Sequence, residues 1–136
     1  MPANDKTMAV VREWAAKAEN DLKSAAHLLK MEDCPTDTVC FHAQQCVEKY
    51  LKALLVAKEL DFPKTHDLGE LIVLVPARIR PRLDDKERDR LTDYATVTRY
   101  PGDYEPISVA EARQAVKIAR RVRREVRKLL EKKPLF

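Results

Sequence analysis

A chain of 136 residues, 45% apolar and 35% charged, has the size and composition of a single globular domain spanning residues 1–136, with core enough to fold without disulfides or a structural metal. Only two glycines argue against a turn-rich β fold and favour long helices. No apolar run approaches the ~18 residues of a membrane span, and the opening MPANDKTMAVV has no apolar signal segment, so a cytoplasmic protein is expected.

In chain order, the first element is a helix over about 5–31. Val11, Ala15, Ala18, Leu22, Ala25 and Leu29 recur every three or four residues and form one apolar stripe. Trp14 borders that stripe, and Arg12, Lys17, Asn20 and Lys23 fall on the opposite face. Pro35, Thr36 and Asp37 then break and restart the chain, because short oxygen-bearing side chains satisfy the free N–H groups of a new helix. This second helix covers about 37–59. Val39, Ala43, Cys46 or Val47, Tyr50, Leu54 and Ala57 make its stripe, with His42, Gln44, Gln45, Glu48, Lys49 and Lys52 on other faces. The three cysteines, Cys34, Cys40 and Cys46, are odd in number and match no zinc spacing, even with His42 added. Buried, neutral thiols and no metal or other cofactor are expected.

Asp67 and Glu70, three apart, resemble a capping box and open a third helix that carries Leu68, Leu71, Ile72, Leu74 and Val75 before Pro76 stops it. PARIRPRLDD reads as a basic connector. A fourth helix is expected over about 84–98, with Leu91, Tyr94, Ala95 and Val97 as its inward candidates. Ser108 and Glu111 form a second capping box and start the last helix, about 108–131, whose stripe is Ala112, Ala115, Ala119, Val122, Val126 and Leu129. The near-heptad steps of the three longest helices predict an all-α, up-and-down bundle of about five helices. Residues 113–133 hold ten Lys or Arg and two Glu, a local excess of +8 that leaves −4 for the rest of the chain. Such a helix either presents a solvated face or attracts nucleic acid or an acidic partner.

Between the last two helices lies TVTRYPGDYEP, residues 96–106, with two of the four tyrosines and one of the two glycines. Pro101-Gly102 suits the centre of a type II turn. Arg99 offers a planar fork for a phosphate, or it staples the loop to Asp103. Tyr100 and Tyr104 either meet a base or seal the end of the bundle. Gln45 and Lys49, four apart on one helix face, either reach a ligand or make interhelical contacts. His66 either supports the turn before the third helix or contacts a phosphate. No Gly-rich phosphate loop, nucleophile elbow or His-Glu-x-x-His pattern is present.

AENDLKSAAHLL in the first helix, DTVCFHAQQCVEKYLKALLVAKEL in the second, PKTHDLGEL opening the third and TRYPGDY before the last stand in the order of the HEPN family. The chain resembles that family, named for higher eukaryotes and prokaryotes nucleotide-binding, from about residue 10 to 130. The resemblance implies a helical bundle that forms a homodimer and works beside a separate nucleotidyltransferase protein, in modules of toxin–antitoxin type. Many relatives are metal-independent ribonucleases with an arginine, four to six intervening residues and then a histidine. Here Arg99 is the matching arginine, and Tyr104, Glu105 and Pro106 occupy the histidine window. A phenol titrating near ~10 is a poor base at neutral pH. The expectation is therefore a non-catalytic subunit that binds nucleotide or RNA through Arg99, Tyr100, Asp103 and Tyr104, with Lys49, Gln45 and His66 completing the site. Two alternatives stand beside it: a ribonuclease whose base is displaced, with Arg99 as its catalytic candidate, and an assembly partner with no small ligand.

Overall fold

The computed structural model describes residues 4–95 and 105–131. Among these the chain forms five α-helices: α1 (Asp5–Leu29), α2 (Thr36–Ala57), α3 (Leu68–Leu74), α4 (Asp85–Ala95) and α5 (Val109–Glu131). A single 3₁₀ turn at Ala77–Ile79 lies between α3 and α4, and no described residue is in a strand. The all-α bundle expected from periodicity is the one observed. No described helix is long and apolar enough to cross a membrane.

Side chains define most helix starts. Asn4 Oδ1 accepts the Thr7 N–H at 2.8 Å and caps α1. Asp67 Oδ1 accepts from Gly69 and Glu70 at 2.8 and 3.2 Å and caps α3. Asp84 and Glu87 form a complete capping box before α4: Glu87 N–H donates to Asp84 Oδ1 at 2.8 Å, and Asp84 N–H donates to Glu87 Oε1 at 3.0 Å. Ser108 Oγ accepts the Glu111 N–H at 3.0 Å. The return bond of that last box is replaced, because the Glu111 carboxylate takes the Tyr94 hydroxyl at 2.5 Å and ties α5 to α4. At the end of α2, Glu59 adopts φ 56°, the left-handed conformation usual for glycine. Leu60 N–H reaches Leu55 C=O and Glu59 N–H reaches Val56 C=O, both at 2.9 Å, which satisfies two carbonyls of the last turn.

Helix α2 runs through the middle of the bundle and packs against α1, α3, α4 and α5. Tyr50, Leu51, Leu54 and Leu55 are wholly buried, so the helix is enclosed on more than the stripe expected from sequence. Four helices surround it, and its polar side chains are covered as well: Gln44 is 0%, Glu48 2% and Lys52 8% exposed. The placement of these residues on outer faces is thus corrected. On α5 the stripe Ala112, Ala115, Ala119, Val122 and Val126 is buried as expected, with Leu129 partly covered. Trp14 packs edge-on against Phe62, with ring centres 6.4 Å apart.

The PARIRPRLDD connector is more than a basic link. Ile79 and Leu83 are buried in the core, and the Arg80 guanidinium donates twice to Val75 C=O, at 3.2 and 2.9 Å. Arg121 of α5 grips the far end. Its Nη2 donates to Glu87 Oε1 at 2.6 Å and to Arg82 C=O at 2.8 Å, and Arg82 N–H donates to Glu125 Oε2 at 2.9 Å. The Arg121 hydrogen bonds hold the Glu87 carboxyl below its usual range. Arg121→Ala is expected to cost about 2 kcal/mol, since charge-assisted bonds between largely covered partners are lost together. A urea unfolding midpoint that does not move would refute this clamp.

Candidate functional site

Seven of the eight basic residues of α5 divide into two sets, and the eighth, Lys128, is exposed and belongs to neither. Arg121 is paired with Glu87, and Arg123 and Arg127 are paired with Glu19 of α1. Arg113, Lys117, Arg120 and Arg124 are exposed and have no partner among the described residues. Their steps of four, three and four residues place them along one line of the helix. Together with Arg82, whose side chain is also unpartnered among the described residues, they line an open groove of about 690 Å³. Gln114, Leu29, Val116 and the clamped Arg121 complete the lining, which includes no carboxylate among the described residues. Like charges facing one low-dielectric wall raise the local positive potential, which suits an anion.

A second polar assembly is buried beneath the start of α3. Glu48 Oε1 accepts from His66 Nδ1 at 2.7 Å and from Gln44 Nε2 at 3.2 Å. Glu48 Oε2 accepts from Lys52 at 3.0 Å. Gln44 Nε2 also reaches His66 C=O at 3.2 Å, so both the ring and the main chain of His66 are held. Lys52 lies over the rings of Trp14 and Phe62, 5.3 and 5.9 Å from their centres. Burial pushes the Glu48 carboxyl up, but hydrogen bonds from His66, Lys52 and Gln44 outweigh it and hold the group below the ordinary range. Glu48 therefore stays ionised and neutralises Lys52. The His66 side chain is 65% exposed, with its ring oriented from below.

A third cluster joins α1 to α2. The Asp21 carboxylate accepts from His42 Nδ1 at 2.8 Å and from Lys49 at 2.5 Å. Tyr50 of α2 and Arg123 of α5 both donate to Glu19, so one carboxylate links three helices. Burial raises the Tyr50 phenol, and its bond to Glu19 raises it further, so the hydroxyl remains a donor. Burial likewise pushes the Cys40 thiol up to about 12 and raises Cys46, which removes both as nucleophiles near neutral pH. Among the described residues no group of three His, Cys, Asp or Glu is placed to hold a metal ion.

The sequence candidates separate accordingly. Arg99, Tyr100, Asp103 and Tyr104 lie outside the described residues, between Ala95 at the end of α4 and Glu105 before α5. Gln45 and His66 are joined through one chain of bonds: Gln45 Nε2 donates to Gln44 Oε1 at 2.6 Å, and Gln44 leads on to Glu48 and His66. Lys49 belongs to the Asp21 cluster instead. Arg82 is a groove residue that sequence reading passed over. Its signal is weak, one of three arginines in a connector, set in place by the Arg121 clamp.

The sequence pattern of the HEPN domain matches residues 11–129 of this chain. The chain belongs to the HEPN family. Two solved structures share the fold of this HEPN domain. TT1696 from Thermus thermophilus superposes with a TM-score of 0.71 at 24% identity, over 87% of this chain and 96% of the other. ST0689, an archaeal HEPN homologue, gives a TM-score of 0.70 at 24% identity, over 89% of this HEPN chain and 98% of the other. No curated protein matches the chain. At this identity the two structures establish the fold of the HEPN domain and leave its chemistry to its own residues.

Proposed function

We propose that this chain is a nucleotide- or RNA-binding HEPN subunit without a nuclease base of its own, acting as a homodimer beside a separate nucleotidyltransferase protein. The observation that carries the reading is the surplus of unpartnered cations in the α5 groove, Arg82, Arg113, Lys117, Arg120 and Arg124, with no acidic residue among the described lining. A fold that pairs Arg121, Arg123 and Arg127 internally and leaves these five open is suited to an anionic ligand. In this reading Arg99 adds a phosphate contact from the segment between α4 and α5, and Tyr100 and Tyr104 supply stacking or hydroxyl contacts. Asp103, Gln45, Lys49 and His66 are the further polar contacts to the ligand in this reading.

The test is a binding titration of the purified protein with nucleotides and short RNA at low salt. The wild type is expected to bind, and Arg99→Ala to bind about tenfold more weakly or worse, the value of a charge-assisted phosphate contact. Equal affinity in the two proteins removes Arg99 from the site. No binding by the wild type to any nucleotide or RNA overturns the proposal.

One observation favours the displaced-base ribonuclease as a second reading: an exposed His66 ring held through Nδ1 by the buried Glu48. A carboxylate-backed imidazole is the arrangement of a general base. Cleavage of RNA in the presence of a chelator, abolished by His66→Ala, would establish it over the binding subunit.

A further inference from the structure

We infer that the α5 groove is a track for consecutive phosphates of one nucleic acid strand, laid along the helix, rather than a pocket for a free nucleotide. This rests on the proposed anion-binding function and adds the length and direction of the ligand.

Three features carry it. The first is register. Arg113, Lys117, Arg120 and Arg124 occupy one line of α5, and eleven residues at ~1.5 Å each spread them over about 16 Å. Each step advances about 4.5–6 Å. That is the order of separation of neighbouring phosphates on an extended strand, so each cation meets its own phosphate. The phosphates of one free nucleotide are bunched and would engage only part of such a line. The second is the built wall. Arg121 fixes the Arg82 main chain through its carbonyl, and Glu125 fixes it through its N–H. Arg82 is thereby set across from the line and makes a groove in place of a bare ridge. The third is the lining. No aromatic residue lies in it among the described residues, so bases have no stacking platform and the contacts fall on the backbone. Leu29 and Val116 are its described apolar members, and Val116 is 1% exposed. A protein partner would require an apolar centre that this surface lacks.

The test uses the full chain and fluorescence anisotropy with labelled RNA of two, four and eight nucleotides, DNA of the same sequences, ATP as competitor and polyglutamate. Affinity is expected to rise from two to about four or five nucleotides and then level off. Three or four phosphate contacts give a slope of log affinity against log salt of about −2 to −3. Arg120→Gln with Arg124→Gln, both exposed positions whose folding circular dichroism can confirm, is expected to reduce that slope by about 1.4 and affinity tenfold or more. Lys6→Gln, outside the groove, is expected to leave both unchanged. Equal affinity for RNA and DNA supports recognition through the backbone, and a preference above tenfold for either sugar overturns it. ATP competing as well as the octamer, with no dependence on length, overturns the track while leaving nucleotide binding intact. Polyglutamate bound as tightly as RNA makes the occupant an acidic protein and overturns the inference. Binding of none of these probes removes the inference and the proposed function together.

Discussion

Glu48→Ala is expected to lower unfolding free energy by about 3–5 kcal/mol, the cost of leaving a buried charge without its partner. Glu48 is 2% exposed and accepts from His66, Gln44 and Lys52. Its removal strands the Lys52 ammonium, itself 8% exposed, between Trp14 and Phe62, and leaves a Gln44 donor in the core without one of its acceptors. For a domain of this size that is a fall in melting temperature of about 10 °C or more. The companion double variant Glu48→Leu with Lys52→Met separates charge from packing. Replacing both ions by apolar groups of similar volume is often neutral, so most of the loss should return. A melting temperature for Glu48→Ala within about 2 °C of wild type would show that Lys52 escapes to solvent and that the network does not bear on stability.

Glu19→Ala is expected to cost about 1–3 kcal/mol, chiefly through loss of the acceptor for the buried Tyr50 hydroxyl, with a smaller share from the partly exposed Arg123 and Arg127. The carboxylate receives the Tyr50 hydroxyl and the Arg123 guanidinium, with Arg127 at 3.4 Å, so α1, α2 and α5 lose a common tie. The same group links stability to pH. Burial pushes the Glu19 carboxyl up, but bonds from Tyr50 and Arg123 outweigh it and hold it below the usual range. Glu48 and Glu87 are lowered too. A carboxyl depressed in the folded state is stabilising above its unfolded value of about 4.3, and that contribution is lost as pH falls through the folded value. Melting temperature should therefore hold steady from about pH 7 to 5 and drop below about pH 4.5. The difference between wild type and Glu19→Gln should shrink over the same acid range. A difference that stays constant down to about pH 2 would show that the Glu19 charge contributes nothing.

Helix identity was legible because it depends on neighbours in sequence. Asp67 and Ser108 cap α3 and α5 as their spacing to Glu70 and Glu111 indicated. The apolar stripe of α5 is buried where the three-four rhythm put it. The rhythm failed at α2, where it marked one apolar line and left Gln44, Glu48 and Lys52 on polar faces. A polar residue in a sequence carries no sign that partners from the Trp14, Phe62 and His66 segments will enclose it. The PARIRPRLDD stretch was misread for a related reason: Ile79 and Leu83 enter the core from a segment too short to show a period. The excess of charge on the last helix was plain, but its division into paired and open arginines was not. Arg121 and Arg120 are adjacent in sequence, yet one meets Glu87 and the other faces the groove.

By itself the sequence determined the class, the family resemblance, the capped starts of α3 and α5 and the net positive charge of the C-terminal helix, since each is written in local spacing and composition. Only the tertiary structure decided that α2 is enclosed on nearly all sides, that Glu48 holds His66 and neutralises Lys52, and that four cations of α5 with Arg82 remain open along a single groove. These depend on which side chains meet across helices far apart in the chain. Pairing energy between such groups is set by distance and burial, and neither is encoded at any one position.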